Sequence, residues 1–402
     1  MAHYRFDDVE LDTSSFTLTR AGTRVPVEPQ VFEVVTYLLE HRDRLVPREE
    51  LLDEIWGDRF VSVSALSSRI KSARAAIGDD GTTQRCIRTV HGRGFQFVAP
   101  VDEIDSLPND QSADEPDADR LRQSIHFVCG RGDVRLAVAT IGEGAPLVKA
   151  ANWLTHVEFD WHSPVWQHWW TELGRRFRFV RYDARGCGLS DHDLGGSSLD
   201  DLQVWVDDLE AVVDDAGLQQ FALLGMSQGG GPAMAYAVRH PQRVSHLVLY
   251  GAYARGPRRR GGSQTDEWSA MLDLMRVGWG GTNPAFRSVF TMTFMPEATS
   301  EQIRWFNELQ RHSTDTEHAV LLESAFYEHD FSDIARQVAV PTLIVHGKDD
   351  HAVPYEEGRR LAGLVPDAEF VTLDSGNHIL TADEPAWPHF LTSLERFTST
   401  AH

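Results

Sequence analysis

The chain has 402 residues, with 38 Lys and Arg against 60 Asp and Glu, a formal charge of −22, and 42% hydrophobic and 24% charged residues. That length suits two domains better than one, and the balance is that of ordinary globular domains. No stretch approaches the roughly 18 uninterrupted apolar residues of a membrane span, and Met1–Asp8 lacks the basic-then-apolar layout of a signal peptide. Cys86, Cys129 and Cys187 are far apart. They fit neither a disulfide framework nor zinc spacing, so the expected setting is a reducing cytoplasm, without membrane, metal or cofactor.

Acidity of this size argues against a nucleic-acid partner until it is divided by region. Residues 1–100 carry 13 basic and 15 acidic residues, and residues 101–124 carry 8 acidic against 2 basic. The rest of the excess lies in residues 125–402. Residues 101–124 hold almost no large apolar side chains, which reads as an acidic, self-repelling linker between two domains.

Taken in order, Tyr4–Leu11 and Phe16–Arg20 read as short strands. Val31, Val34, Val35, Leu38 and Leu39 recur at helical spacing. A second helix is expected over Arg48–Trp56, stopped by Gly57. The third, from about Ser64 to Ile77, turns Leu66, Ile70, Ala73 and Ile77 to one side and gathers Ser64, Ser67, Ser68, Lys71 and Arg74 on the other. Small hydroxyls and cations let a helix approach a duplex closely. Two strands, Cys86–Val90 and Phe95–Val98, then flank His91-Gly92-Arg93-Gly94, a hairpin with a cation at its tip and Arg88 on one arm.

This order of strands, three helices and an Ile-Arg-Thr-Val-His-Gly-Arg-Gly-Phe hairpin resembles the winged-helix effector domain of OmpR/PhoB-type response regulators. The resemblance covers nearly all of residues 4–99. It implies an α+β domain over residues 1–100 that binds double-stranded DNA, with the third helix in the major groove and Arg93 reaching the minor groove or backbone. Such proteins usually carry a receiver domain before the winged helix; none is read here, so phospho-activation is not expected.

From Ile125 strands alternate with helices, as in a βαβ architecture. Expected strands are Arg135–Ile141, Pro146–Ala150, Phe177–Tyr182, Phe221–Leu224, His246–Tyr250, Thr342–His346 and Glu369–Leu373. Several are continuous apolar runs, as a sheet covered on both faces requires. After the fourth comes Gly225-Met226-Ser227-Gln228-Gly229, a G-x-S-x-G placed between strand and helix, the context that motif needs. Serine is a poor nucleophile alone and needs a base and an orienting carboxylate. Lys348-Asp349-Asp350 and Asn377-His378 follow at later strand ends.

Together with Asp183-Ala184-Arg185-Gly186-Cys187-Gly188, these motifs resemble the α/β-hydrolase superfamily across most of residues 130–395. The resemblance implies a mostly parallel sheet with helices on both faces and Ser227, Asp350 and His378 as a catalytic triad, Asp350 being preferred to Asp349 by its spacing to Pro354. His346 is the rival histidine, and Cys187 reads as structural. The backbone N–H of Gln228 is the expected first oxyanion donor. Asn152 stands where the family has glycine, asparagine tolerating positive φ better than most residues, which makes the N–H of Trp153 the second donor. Residues of about 253–333 occupy the position of a helical cap. They open on the basic run Arg255–Gly262, read as solvated or as touching DNA or an anionic ligand, and continue with aromatics that suggest an apolar pocket.

The expected function is a one-component transcription regulator whose hydrolase domain senses, or senses and hydrolyses, a small apolar ester, lactone or amide. The alternative is a serine esterase that the winged helix only localises. A homodimer on paired half-sites stays open.

Overall fold

In the computed structural model, residues 3–13, 17–25, 27, 29–48, 50–52, 63–90, 93–104, 121–152, 154–261, 263–281 and 283–399 are described. The chain divides into two units, Met1–Pro116 and Asp117–His402.

The first unit opens on an antiparallel sheet of β1 (His3–Phe6), β2 (Val9–Asp12), β3 (Thr17–Arg20) and β4 (Thr23–Arg24). The expected single run Tyr4–Leu11 is two strands, because Asp7 adopts a φ of 48° and turns the chain. The alternation survives the turn: Tyr4, Phe6, Val9 and Leu11 are all buried. Against them lie one face of the helix Pro29–Glu40 and one face of the helix Val63–Ala76. The expected second helix is helical at 48 and 50–52; Trp56 and Gly57 fall outside the described residues. A smaller sheet follows, of β5 (Val46–Pro47), β6 (Ile87–Val90) and β7 (Gly94–Phe97), in the order β5-β7-β6.

The acidic stretch is shorter than its composition suggested. β8 (Asp102–Ile104) pairs antiparallel with β1, and the next strand begins at Gln123. An edge strand is held by its backbone hydrogen bonds, so a polar stretch conceals it.

The second unit is built on an eight-stranded sheet ordered β16-β15-β14-β13-β11-β12-β10-β9. β9 (Gln123–Cys129) and β10 (Arg135–Ile141) are antiparallel neighbours, and β10 also runs antiparallel to β12 (Arg178–Tyr182). The remaining ladders are parallel: β11 (Pro146–Lys149), β13 (Phe221–Met226), β14 (Val244–Tyr250), β15 (Thr342–Gly347) and β16 (Glu369–Leu373). Every residue of β13 and of β15 is buried, as expected of strands covered on both faces. β9 was not foreseen; on this outer edge only Val128 is buried and Phe127 stands 54% exposed.

Between Tyr253 and Asp333 the chain leaves the sheet for the helices Pro257–Arg260, Ser263–Gly278, Pro284–Phe294, Ser300–Ser313 and Thr316–Ser324. A backbone bridge between Arg255 and Asp330 closes the base of this cap. Asn283, Thr299 and Asp315 cap three of these helices with their side chains. Among the described residues no helix is long and apolar enough to cross a membrane.

Candidate functional site

β13 ends at Met226, and Ser227 follows with a φ of 49°, a conformation that costs a non-glycine residue on the order of 1 kcal/mol or more. The turn is tight. A β-carbon on Gly225 would stand 2.8 Å from that of Ala233 and 2.9 Å from Cα of Gly230. The strand and the following helix Gly230–Arg239 therefore meet at a position that only glycine fills, which lifts Ser227 to the C-terminal edge of the sheet.

Two later strand ends supply the other groups. After β15, the carboxylate of Asp350, its side chain 2% exposed, receives a hydrogen bond from Nδ1 of His378 at 2.6 Å. Its other oxygen accepts the backbone N–H groups of Ala352 and Val353, each at 2.9 Å. Burial pushes the Asp350 carboxyl up, but the charge and hydrogen bond of His378 outweigh it and hold the group below its ordinary range. His378 is itself fixed by its backbone: its N–H donates to Phe294 O at 2.8 Å, and its carbonyl accepts the Tyr250 hydroxyl at 2.9 Å. Asp349 is exposed. His346 lies under the site, fully buried, with Nε2 donating to Val353 O at 2.9 Å. Burial lowers its pKa.

Ser227 and His378 line one cavity with an empty volume of about 780 Å³, open solvent at its mouth included. Its walls also carry Trp166, Phe294, Tyr253 and Arg260, so cap and sheet both contribute. A hydroxyl and an imidazole facing one space, with a carboxylate holding the far side of that imidazole, suit nucleophilic attack on an acyl carbon.

Gln228 lines the cavity, and its side-chain amide donates to Leu322 O at 2.7 Å. Trp153 falls outside the described residues. Asn152 lines the cavity but does not share the positive φ of Ser227. Its side-chain oxygen accepts a hydrogen bond from Lys149 Nζ, so asparagine serves a contact here and not a backbone conformation. Sequence reasoning passed over Lys149. It is fully buried, and burial, followed by the nearby charge of Arg181, brings its ammonium down to about 8. An ammonium at the end of an otherwise apolar strand, Pro-Leu-Val-Lys, was the available signal.

The Asp183–Gly188 motif is structural. The Asp183 carboxylate accepts the N–H groups of Val157 and Leu189, and Arg185 is paired with Asp208 in the interior. Cys187 donates its thiol to Thr155 O, and burial pushes that thiol up to about 12, away from nucleophilic use. Arg258 and Arg259 point outward, whereas Arg255 is paired with the buried Glu357 at 2.7 Å.

In the first unit Lys71, Arg88 and Arg93 are exposed. Ser64, Ser67 and Ser68 lie on the helix Val63–Ala76, and their side chains fall outside those described. Arg74 departs from the expected DNA-facing set. It is 8% exposed and donates through Nε and Nη2 to Ile87 O and through Nη2 to Thr89 Oγ1 at 2.8 Å. Three residues on from Lys71, it falls about 60° short of a full turn, which carries it off the exposed face and onto β6. Asp79 completes this clamp, accepting the N–H groups of Asp80, Arg85, Cys86 and Ile87.

Two family models match the chain: the α/β hydrolase fold over residues 158–385 and the transcriptional regulatory protein C-terminal domain over residues 22–97. The AB hydrolase superfamily protein YisY of Bacillus subtilis is 29% identical over 259 residues, covering 63% of this chain and 92% of its own. A 2-hydroxy-6-oxononadienedioate/2-hydroxy-6-oxononatrienedioate hydrolase of Paraburkholderia phymatum is 30% identical over 203 residues, 48% of this chain and 67% of its own. Among solved structures, an esterase from Exiguobacterium antarcticum superposes with a TM-score of 0.59 at 24% identity, covering 68% of this chain and 99% of that one, which speaks to the fold. With its first unit matched by a transcription-regulator domain and more than half its length by the hydrolase model, the chain belongs to the α/β hydrolase fold family.

Proposed function

We propose that this protein is a one-component transcription regulator: the first unit binds double-stranded DNA, and the hydrolase unit binds and hydrolyses a small ester, lactone or amide whose presence alters that binding. The observation that carries the reading is the cavity walled by Ser227 and His378, with Asp350 behind the imidazole, in the same chain as a transcription-regulator domain. Ser227 attacks the acyl carbon while His378 takes the hydroxyl proton and passes it to the leaving group; water, deprotonated by the same imidazole, then cleaves the acyl-serine and the proton returns to Ser227, Asp350 keeping the imidazole in the tautomer that accepts at Nε2. The N–H of Gln228 would receive the developing oxyanion. The relative whose name describes a dioate hydrolase is consistent with hydrolytic chemistry of this kind. Lys71, Arg88 and Arg93, with the serines of the helix Val63–Ala76, are the proposed DNA contacts; the chain would pair on two half-sites if it dimerises.

Gel-shift titration against the protein's own promoter tests the regulator reading. The expected result is a specific complex lost in Lys71→Ala/Arg93→Ala; no specific complex with the intact protein overturns it. A second reading, a serine hydrolase that the winged helix only localises, draws on the Asp350–His378 pair, which a receptor does not need. If ligand-dependent DNA binding disappears in Ser227→Ala while ligand still binds, turnover is part of the signal.

A further inference from the structure

The run Arg255–Arg260 does not behave as one basic patch. Arg255 is paired with Glu357, and Arg258 with the exposed Glu328. Arg259 donates through Nε to Glu328 O. Arg260 turns the other way. It lines the cavity that holds Ser227 and His378, its guanidinium sits over the ring of Tyr253 at 4.9 Å, and its Nε donates to Arg255 O at 2.8 Å. Its Nη1 is buried and has no hydrogen-bond partner among the described residues. Of the two carboxylates whose charge reaches it, Glu357 is already held by Arg255 and Asp350 by His378.

A guanidinium is charged at any working pH, and leaving a buried donor of a charged group unmade is costly. Stacking on Tyr253 fixes the orientation of the fork without satisfying it. A second wall residue repeats the pattern: the indole Nε1 of Trp166 is also buried and has no hydrogen-bond partner among the described residues. Among the described residues the cavity carries one carboxylate, Glu323, whose Oε1 accepts the Tyr327 hydroxyl at 3.1 Å. No ion pair joins it to Arg260 among the described residues, so the guanidinium at the cavity wall carries a charge that no carboxylate of that wall pairs.

We infer that Arg260 is an anion-recognition residue of this cavity, and that the substrate is an acyl compound carrying a carboxylate beyond the scissile bond. This rests on the hydrolase reading above and narrows its substrate class to anionic acyl compounds, against the apolar class expected from the sequence. The carboxylate would accept from the Arg260 guanidinium in a charge-assisted hydrogen bond while the acyl carbon lies at Ser227.

The test uses the full chain and two esters of equal acyl length, 4-nitrophenyl hexanoate and mono-4-nitrophenyl adipate. The expected result is a kcat/KM ratio favouring adipate by about tenfold or more, falling by about tenfold in Arg260→Gln and held within about threefold in Arg260→Lys. A wild-type preference for hexanoate, or a ratio that Arg260→Gln leaves unchanged, overturns the inference. Binding is read separately in Ser227→Ala, where free adipate should raise Tm and the added Arg260→Gln should abolish the rise. If the wild type hydrolyses neither ester but adipate still raises Tm through Arg260, the hydrolase reading fails and the anion site stands. If turnover occurs and no adipate effect does, the anion site fails alone.

Discussion

Nδ1 of His378 stands 2.6 Å from Oδ2 of Asp350, while Oδ1 of the same carboxylate is occupied by two backbone N–H groups from the loop that follows β15. Asp350 is thus held by its own loop before it meets the imidazole. Asp350→Asn keeps the shape but presents an amide to Nδ1, favouring the wrong tautomer, so kcat on an activated ester should fall by about 10³–10⁴. Ser227→Ala should lose at least as much. Stopped-flow or steady-state release of 4-nitrophenolate measures both. A variant at either position with activity within tenfold of wild type would remove these residues from the chemistry.

Arg74 and Lys71 sit on one helix but do different work, because Arg74 is buried against β6 and Lys71 is exposed. Lys71→Ala should weaken DNA binding evenly across sequences and reduce the salt slope by about one, with little change in Tm. Arg74→Met leaves the Ile87 carbonyl and the Thr89 hydroxyl short of a donor and should destabilise the first unit by about 1–3 kcal/mol. Its loss of DNA affinity should follow from unfolding. Fluorescence anisotropy at several salt concentrations, with thermal melts alongside, separates the two.

That division marks where the sequence stopped being legible. Continuous apolar runs such as Phe221–Leu224 and Thr342–His346 announced the buried parallel strands, since a strand covered on both faces is apolar along its length. The G-x-S-x-G turn and the order Ser227, Asp350, His378 were visible because each sits where a strand runs out. Hidden were features set by neighbours distant in sequence. Arg74 looked like a DNA contact by helical phase, yet its partners come from β6, 13 and 15 residues on. β9 escaped notice because an edge strand exposes both faces, and Arg260 was read with its whole run as solvated or as touching DNA or an anionic ligand, whereas the cap folds Arg260, alone of the run's arginines, into the cavity wall.

Gly188 adopts a φ of 61°, and a β-carbon there would stand 2.1 Å from Oδ2 of Asp183. That carboxylate is buried and receives the N–H groups of Val157 and Leu189, so it has no room to retreat. Gly188→Ala should therefore destabilise the hydrolase unit by about 2–4 kcal/mol, combining left-handed strain with the displaced hydrogen bonds. Chemical denaturation measures the loss; a change within about 0.5 kcal/mol would show that the loop adapts freely.

Lys149 offers the test of how the Asn152 loop is held. Its ammonium, brought down to about 8 by burial, has an ordinary value of 10.5 in the unfolded chain. Below pH 8 both states are protonated, and the folded state carries the burden of a buried charge. Between about 8 and 10.5 the folded state has released its proton while the unfolded chain retains it, so this group makes stability rise with pH across that window. Lys149→Met has no such rise. The stability of wild type relative to the variant should therefore increase by roughly 1–3 kcal/mol from pH 7.5 to 10, whatever other groups titrate in common. Ten of the 11 tryptophans lie beyond residue 150, so their fluorescence reports the hydrolase unit during urea unfolding. A difference between the two proteins that is flat with pH would mean that Lys149 stays charged in the fold, its proton held by Asn152.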